Sequence, residues 1–247
     1  MNRLIVWALV SAFGLAAVTP PQAHAQALEV HPVLVEFLPG QTTTTINITN
    51  QGTFPATIQL RPFAWKQQPV GDDQLSSTEV LAFSPPFITL PPAESQVVRL
   101  ILQNPGSQAE ASYRLLLDEI PPPPSVGARG VRLTLHLSIP IFKETDRSSL
   151  PALTWQLIVN SQGDATLVAT NHGNRHAYFT TIALSGAGFT PVAVKSNGSP
   201  YVLPGAERRW TITGPAGLVR PGATLELTAT TNNGSHIKGS VPVSAGP

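Results

Sequence analysis

The 247-residue chain has no cysteine. That absence excludes a disulfide framework, thiolate catalysis and cysteine metal sites, so the fold must stand on core packing alone. Charge is sparse as well: Asp, Glu, Lys and Arg make up 12% of the residues and the formal net charge is +1. There is therefore no electrostatic footprint for nucleic acid or for an anionic membrane surface. Beyond the N-terminal segment no apolar run approaches the ~20 residues that cross a bilayer, and membrane insertion is not expected. Catalytic signatures are missing too, with no G-x-S-x-G elbow and no phosphate-cradling glycine loop, so the chain does not read as an enzyme. His172 and His176 share a face only in a helix, whereas the intervening Gly173 and Asn174 read as a turn. With no carboxylate, Cys or third His nearby in sequence, neither a metal nor another cofactor is expected.

Proline and glycine are plentiful instead, at 25 and 19 residues. Together with many Thr and Val they break the chain every few residues and favour short strands over helices. The length fits one large all-β domain or two sandwiches of about 100 residues each. At the N-terminus, Arg3 precedes an apolar run over residues 4–18, and Ala23-His24-Ala25 supplies an A-x-A site. Residues 1–25 thus read as a secretory signal peptide cleaved after Ala25. The N-x-[ST] triplets at Asn47, Asn197 and Asn233 read as turn and strand residues.

The first half parses as immunoglobulin-like strands at residues 28–38, 43–49, 54–65, 79–83, 95–102 and 112–120, with a polar loop over 67–77. In the last of these Tyr113, Leu115 and Leu117 face one way while Arg114, Leu116 and Asp118 face the other. The polar run 143–151 reads as a hinge, and strands at 154–159, 165–170, 178–184, 188–195, 208–213 and 224–230 form a second sandwich. The expected organisation is all-β, with two immunoglobulin-like domains at residues 26–142 and 152–247.

Residues 131–142, VRLTLHLSIPIF, organise the rest. Val131, Leu133, Leu135, Leu137, Ile139 and Ile141 alternate with Arg132, Thr134, His136, Ser138 and Pro140, the period of a strand with one wet face. Pro140 cannot donate to a ladder and favours an edge position or a bulge. A long apolar edge is a template for another chain, so its retention points to a partner strand meant to sit there. His136, on the polar side, reads as a solvated residue that discourages wrong pairing. The alternative is an ordinary sandwich strand.

Three phrases, FSPPFITLPPAESQVVRL (83–100), EASYRLLLDEIPPP (110–123) and LTLHLSIPIF (133–142), resemble the periplasmic pilus-assembly chaperones of the chaperone–usher pathway, the PapD-like family. The likeness continues more loosely through NHGNRHAYFTTIAL (171–184) and YVLPGAERRWTI (201–212). It implies a boomerang of two immunoglobulin-like domains acting in the periplasm. It also implies pilus subunits of incomplete immunoglobulin-like fold as partners, delivered to an outer-membrane usher. The subunit's missing strand would be supplied by Val131, Leu133, Leu135 and Leu137, with Ile139 toward the hinge.

The family's usual anchors for the subunit's terminal carboxylate, an Arg on the first strand and a Lys on the donor strand, have no counterpart here: residues 32–37 carry no basic residue, and Pro140 stands where the Lys would fall. Arg114 is the best-placed replacement and looks like the archaic or alternative branch of the family; Arg99 and Lys143 are the other candidates. Arg114 could instead pair with Asp118 or Glu119. A secreted structural or adhesin-type two-domain binding module is the competing functional reading.

Overall fold

The computed structural model describes residues 27–68, 73–103, 109–123, 133–186, 189–194, 199–212 and 220–246. The expected signal peptide lies outside them. So do Val131 and Asn197.

The first ten strands are β1 (Leu28–His31), β2 (Val35–Phe37), β3 (Thr43–Asn50), β4 (Ala56–Gln67), β5 (Asp73–Ser77), β6 (Leu81–Ser84), β7 (Phe87–Leu90), β8 (Ser95–Leu102), β9 (Ala111–Ile120) and β10 (His136–Lys143). They form two sheets, β1-β3-β8-β6 and β2-β10-β9-β4-β5, with β7 on β4. This is the ABED-against-GFC arrangement of an immunoglobulin-like sandwich. Period-two alternation supplies the core: Ile46, Ile48, Val98 and Leu100 of one sheet meet Leu60, Leu115, Leu117 and Ile141 of the other, all buried.

The second sandwich holds β11 (Leu153–Val159), β12 (Ala165–Asn171), β13 (Ala177–Gly186), β14 (Phe189–Ala193), β15 (Tyr201–Val202), β16 (Glu207–Ile212), β17 (Thr224–Thr231) and β18 (His236–Ala245). Its order is β14-β13-β17-β18-β11-β12-β16, the halves joined by a parallel β11–β18 pair, and β15 lies on β13. Trp155, Phe179, Leu184, Trp210 and Leu227 fill its core.

The two sandwiches share a device at the ends of β3 and β12. Asn50 and Asn171 are fully buried, each followed two residues later by Gly. The Asn50 amide donates to the carbonyls of Phe54 (2.7 Å) and Leu90 (2.9 Å) and accepts from Gly52 N–H (2.9 Å). Asn171 likewise donates to Arg175 O (2.8 Å) and Val202 O (3.0 Å), and accepts from Ala152 and Gly173 N–H. Each buried amide thereby satisfies backbone groups that the strand's end leaves open.

Several elements differ from the sequence reading. The stretch expected as one strand at 28–38 is split, β1 pairing with β3 and β2 running parallel to β10. A polar loop was expected over 67–77, yet β5 pairs there with β4 through five residues of which only Leu75 is apolar, so no alternating pattern shows. β7 and β18 were not anticipated; in β18 Gly239 and Pro242 interrupt an alternation that Ile237, Val241 and Val243 carry. Of the strand expected over 131–142, the described residues are regular from His136, and the strand runs on through Lys143, which the sequence assigns to the hinge.

Candidate functional site

One edge of β10 is covered by β9 from His136 to Lys143. On the other edge β2 covers only Ile141–Lys143. Among the described residues, the stretch from Leu133 to Pro140 therefore has an open edge, and Pro140 sits one residue ahead of the point where β2 begins to pair. A residue without an N–H is tolerated there. Apolar burial increases from Leu133 to Ile139: Leu133 is 82% exposed, Leu135 and Leu137 are half-buried, and Ile139 is 6% exposed. Ile139, the donor residue expected toward the hinge, packs in the chain's own core. Leu137 packs against that core from its rim. Leu135 is held outside the regular strand by two bonds, its N–H donating to Glu119 Oε2 and its carbonyl accepting from Glu119 N–H, both 3.0 Å.

The polar face of this edge is built around Asp118. Its Oδ2 accepts from Arg61 Nε (2.9 Å) and Nη2 (2.7 Å), and its Oδ1 meets His136 Nδ1. Partial burial pushes the Asp118 carboxyl up, but hydrogen bonds and charge from Arg61 and His136 together outweigh it and hold the group below the usual carboxylate range.

Where the two sandwiches meet, Trp65, Phe142, Tyr201, Leu203 and Ala206 form a separate apolar cluster. Arg114 lies against it, its guanidinium carbon 3.7 Å from the Trp65 ring centroid and 5.6 Å from that of Tyr201. Its side chain is only 12% exposed. A buried guanidinium normally spends its five donors. Here Arg114 Nη2 makes one long bond to Ser199 Oγ (3.4 Å) and stands 3.8 Å from Asp73 Oδ2, beyond hydrogen-bonding distance. Asp73 directs its other oxygen to Arg208 Nη1 and Gln67 Nε2, both at 3.2 Å. Burial lowers the Arg114 pKa while Asp73 and Tyr201 pull it back up, and a guanidinium stays charged at any physiological pH. The Tyr201 hydroxyl is pushed up to about 12, chiefly by burial and next by Tyr178, with Arg114 opposing.

The alternative partners expected for Arg114 are corrected by this geometry: Asp118 belongs to Arg61 and His136, and Glu119 holds Leu135. Arg99 is exposed on β8, in register with Thr45 and Ser84 on the opposite sheet, so the structure does not bring it to Arg114. Lys143 is buried and its ammonium donates to the Glu144 carbonyl. Asp73, Ser199 and Arg208 gather at Arg114 from distant parts of the chain, and no sequence spacing announces them.

The seam is completed by polar contacts between residues of both halves. His176 Nδ1 lies 2.8 and 3.0 Å from the Glu110 carboxylate oxygens, and its ring stacks on Phe142 with centroids 3.7 Å apart. Arg175 bridges Glu36 (2.8 Å) and Glu144 (2.5 Å). His172 sits apart, on Thr154 Oγ1 at 3.1 Å. Among the described residues no group of His, Asp and Glu side chains could hold a metal ion.

With this geometry in place, comparison with known proteins adds the following. A family model described as the PapD N-terminal domain of pili and flagellar-assembly chaperones matches residues 27–145. No curated protein matches the chain in sequence. Among solved structures, the chain is similar to one from the CsuC–CsuE chaperone–tip adhesion subunit pre-assembly complex of archaic Csu pili of Acinetobacter baumannii. That match has 20% identity and a TM-score of 0.66, covering 88% of this chain and 99% of that one. A chain of the Salmonella enterica SafA pilin–SafB chaperone complex matches at 16% identity and TM-score 0.61, covering 89% and 97%. The Pseudomonas aeruginosa CupB2 chaperone matches at 14% identity and TM-score 0.56, covering 87% and 100%. At these identities the likeness establishes the two-domain, immunoglobulin-like fold.

Proposed function

The chain belongs, through its residues 27–145, to the pili and flagellar-assembly chaperones of the PapD type, and from that premise we propose that it captures incomplete pilus subunits by donor-strand complementation. The family is one of assembly chaperones, not of enzymes. In this reading the chain is exported through residues 1–25, works in the periplasm, and passes its subunits to an outer-membrane usher. Two domains are joined by a linker that starts after Lys143 and ends near Pro151.

The observation that carries the proposal is the open edge of β10, along which leucines grow more exposed with distance from the core, up to 82% at Leu133. Such an edge offers main-chain ladder bonds for affinity and alternate side chains for an apolar groove. Leu133, Leu135 and Leu137 are the donors on the described part, and Val131 extends the same period. Burying the exposed Leu133 in a subunit contributes about 1.5 to 3 kcal/mol before ordering costs, and the half-buried Leu135 and Leu137 each contribute less. Arg114 serves as the carboxylate anchor, because a largely buried guanidinium whose side-chain contacts among the described residues are one long bond to Ser199 and a 3.8 Å approach to Asp73 can still bind a carboxylate by a charge-assisted fork.

Periplasmic co-expression with candidate subunits, followed by pull-down, tests this reading. Leu133→Glu and Leu135→Glu should abolish capture in a folded protein, since a charge enters an apolar groove only at a cost of several kcal/mol. Thr134→Glu, on the opposite face, should retain it. Equal capture by the leucine variants and the parent overturns the proposal.

A further inference from the structure

Three charged side chains from both sandwiches meet at the seam, and their arrangement is unbalanced. Arg114 on β9 and Arg208 on β16 share one carboxylate, Asp73 of β5. Among the described residues no other carboxylate is within ion-pair reach of either guanidinium. Taken by themselves these three groups sum to one excess positive charge, with side-chain exposures of only 12% for Arg114, 9% for Arg208 and 21% for Asp73. Little solvent screens it, so a further anion is favoured there.

The carboxylate is also unequally shared. Asp73 Oδ1 is hydrogen-bonded to Arg208 at 3.2 Å, whereas Oδ2 only faces Arg114, at 3.8 Å. Gln67 fixes Asp73 from the same sandwich and ties itself to the other one, its Nε2 donating to Asp73 Oδ1 (3.2 Å) and to Tyr201 O (2.9 Å), and its Oε1 accepting from Leu203 N–H (2.9 Å). Asp73 can thus lose its weak partner without losing its strong ones.

We propose that Asp73 is a displaceable counter-ion: a carboxylate arriving on Arg114 takes its place, and Asp73 turns fully to Arg208. Capture of an anion by the first sandwich then strengthens a bridge to the second. This rests on Arg114 being the carboxylate anchor, and it adds two residues with opposite effects on that site. Asp73 competes with the incoming carboxylate and weakens its binding. Arg208 draws Asp73 away and strengthens it.

The signs make the proposal testable with acetate as the simplest carboxylate. The full chain is titrated with acetate against chloride at constant ionic strength, and binding is read from the Arg114 Nε–Hε resonance. Asp73→Asn keeps an oxygen acceptor for Gln67 and Arg208 while removing the charge, and should tighten acetate binding about tenfold. Arg208→Ala frees Asp73 for Arg114 and should weaken acetate about fivefold. Unchanged or weaker binding in Asp73→Asn overturns the proposal, because Asp73 would then merely position Arg114. Should that variant fail to fold, Arg208→Ala decides alone, and unchanged or tighter binding there overturns it. Arg114→Ala, followed by backbone resonances of β9, separates the two readings: undiminished acetate binding removes the anchor itself, whereas lost binding with an unaltered Asp73→Asn leaves the anchor and removes only the counter-ion.

Discussion

The guanidinium carbon of Arg114 stands over the indole ring of Trp65, 3.7 Å from its centroid, at the point where the two sandwiches meet. This cation–π contact holds the guanidinium in a largely desolvated position, which is what an anion site requires and what a surface ion pair does not. Arg114→Ala should accordingly weaken subunit binding by about 2 kcal/mol or more, and by more than it changes the chaperone's own stability. Arg114→Lys should restore only part, since an ammonium keeps the charge but loses the planar fork. Isothermal titration with a subunit and with its C-terminally amidated form checks the assignment. The amidation and Arg114→Ala should be strongly non-additive, as each removes the same contact.

The seam should loosen in alkali. Tyr201, part of the apolar cluster with Trp65 and Phe142, titrates near 12 against an ordinary value of 10.0. A folded pKa raised above the unfolded one contributes stability that is complete below about 10 and is lost as pH rises through about 12. Melting temperature should therefore fall across that window, and Tyr201→Phe should flatten the fall. The absorbance of ionised tyrosine at high pH gives an independent reading.

Gly173 marks where the second sandwich grips the linker. A Cβ there would stand 2.3 Å from Leu150 O and 2.5 Å from Ala152 N, both backbone atoms that cannot swing away. His172 N–H donates to Ala152 O (2.8 Å) and Asn171 accepts from Ala152 N–H (3.1 Å), so the linker's end is fixed at this corner. Gly173→Ala should cost about 2 kcal/mol or more through strain, measured by urea unfolding. It should also speed limited proteolysis within residues 145–150, the exposed part of the linker, where the parent is expected to be cut first. A first cut at buried Lys143 would contradict this.

How far the sequence could be read depended on the kind of signal. Strands with regular alternation, such as β3, β8 and β9, were legible because burial on one face leaves a period of two. β5 was not, since its exposed Gln74, Ser76 and Ser77 carry no apolar stripe and its existence depends on pairing with β4. Leu133 and Leu135 were visible in the pattern, but the pattern could not show that regular pairing begins only at His136 or that Ile139 belongs to the core. Arg114 stood out through its phrase on β9. Asp73, Ser199 and Arg208 did not, because long-range pairing alone brings residues so far apart in sequence to one guanidinium.

The open edge of β10 is the centre of the account, and hydrogen exchange of its backbone amides in the free and subunit-bound chaperone tests it most directly. The N–H groups on the edge away from β9, over residues 133–139, should exchange rapidly in the free protein and become strongly protected once a subunit strand pairs there. Equal protection in the free and bound states, with subunit shown to be bound, would contradict the account.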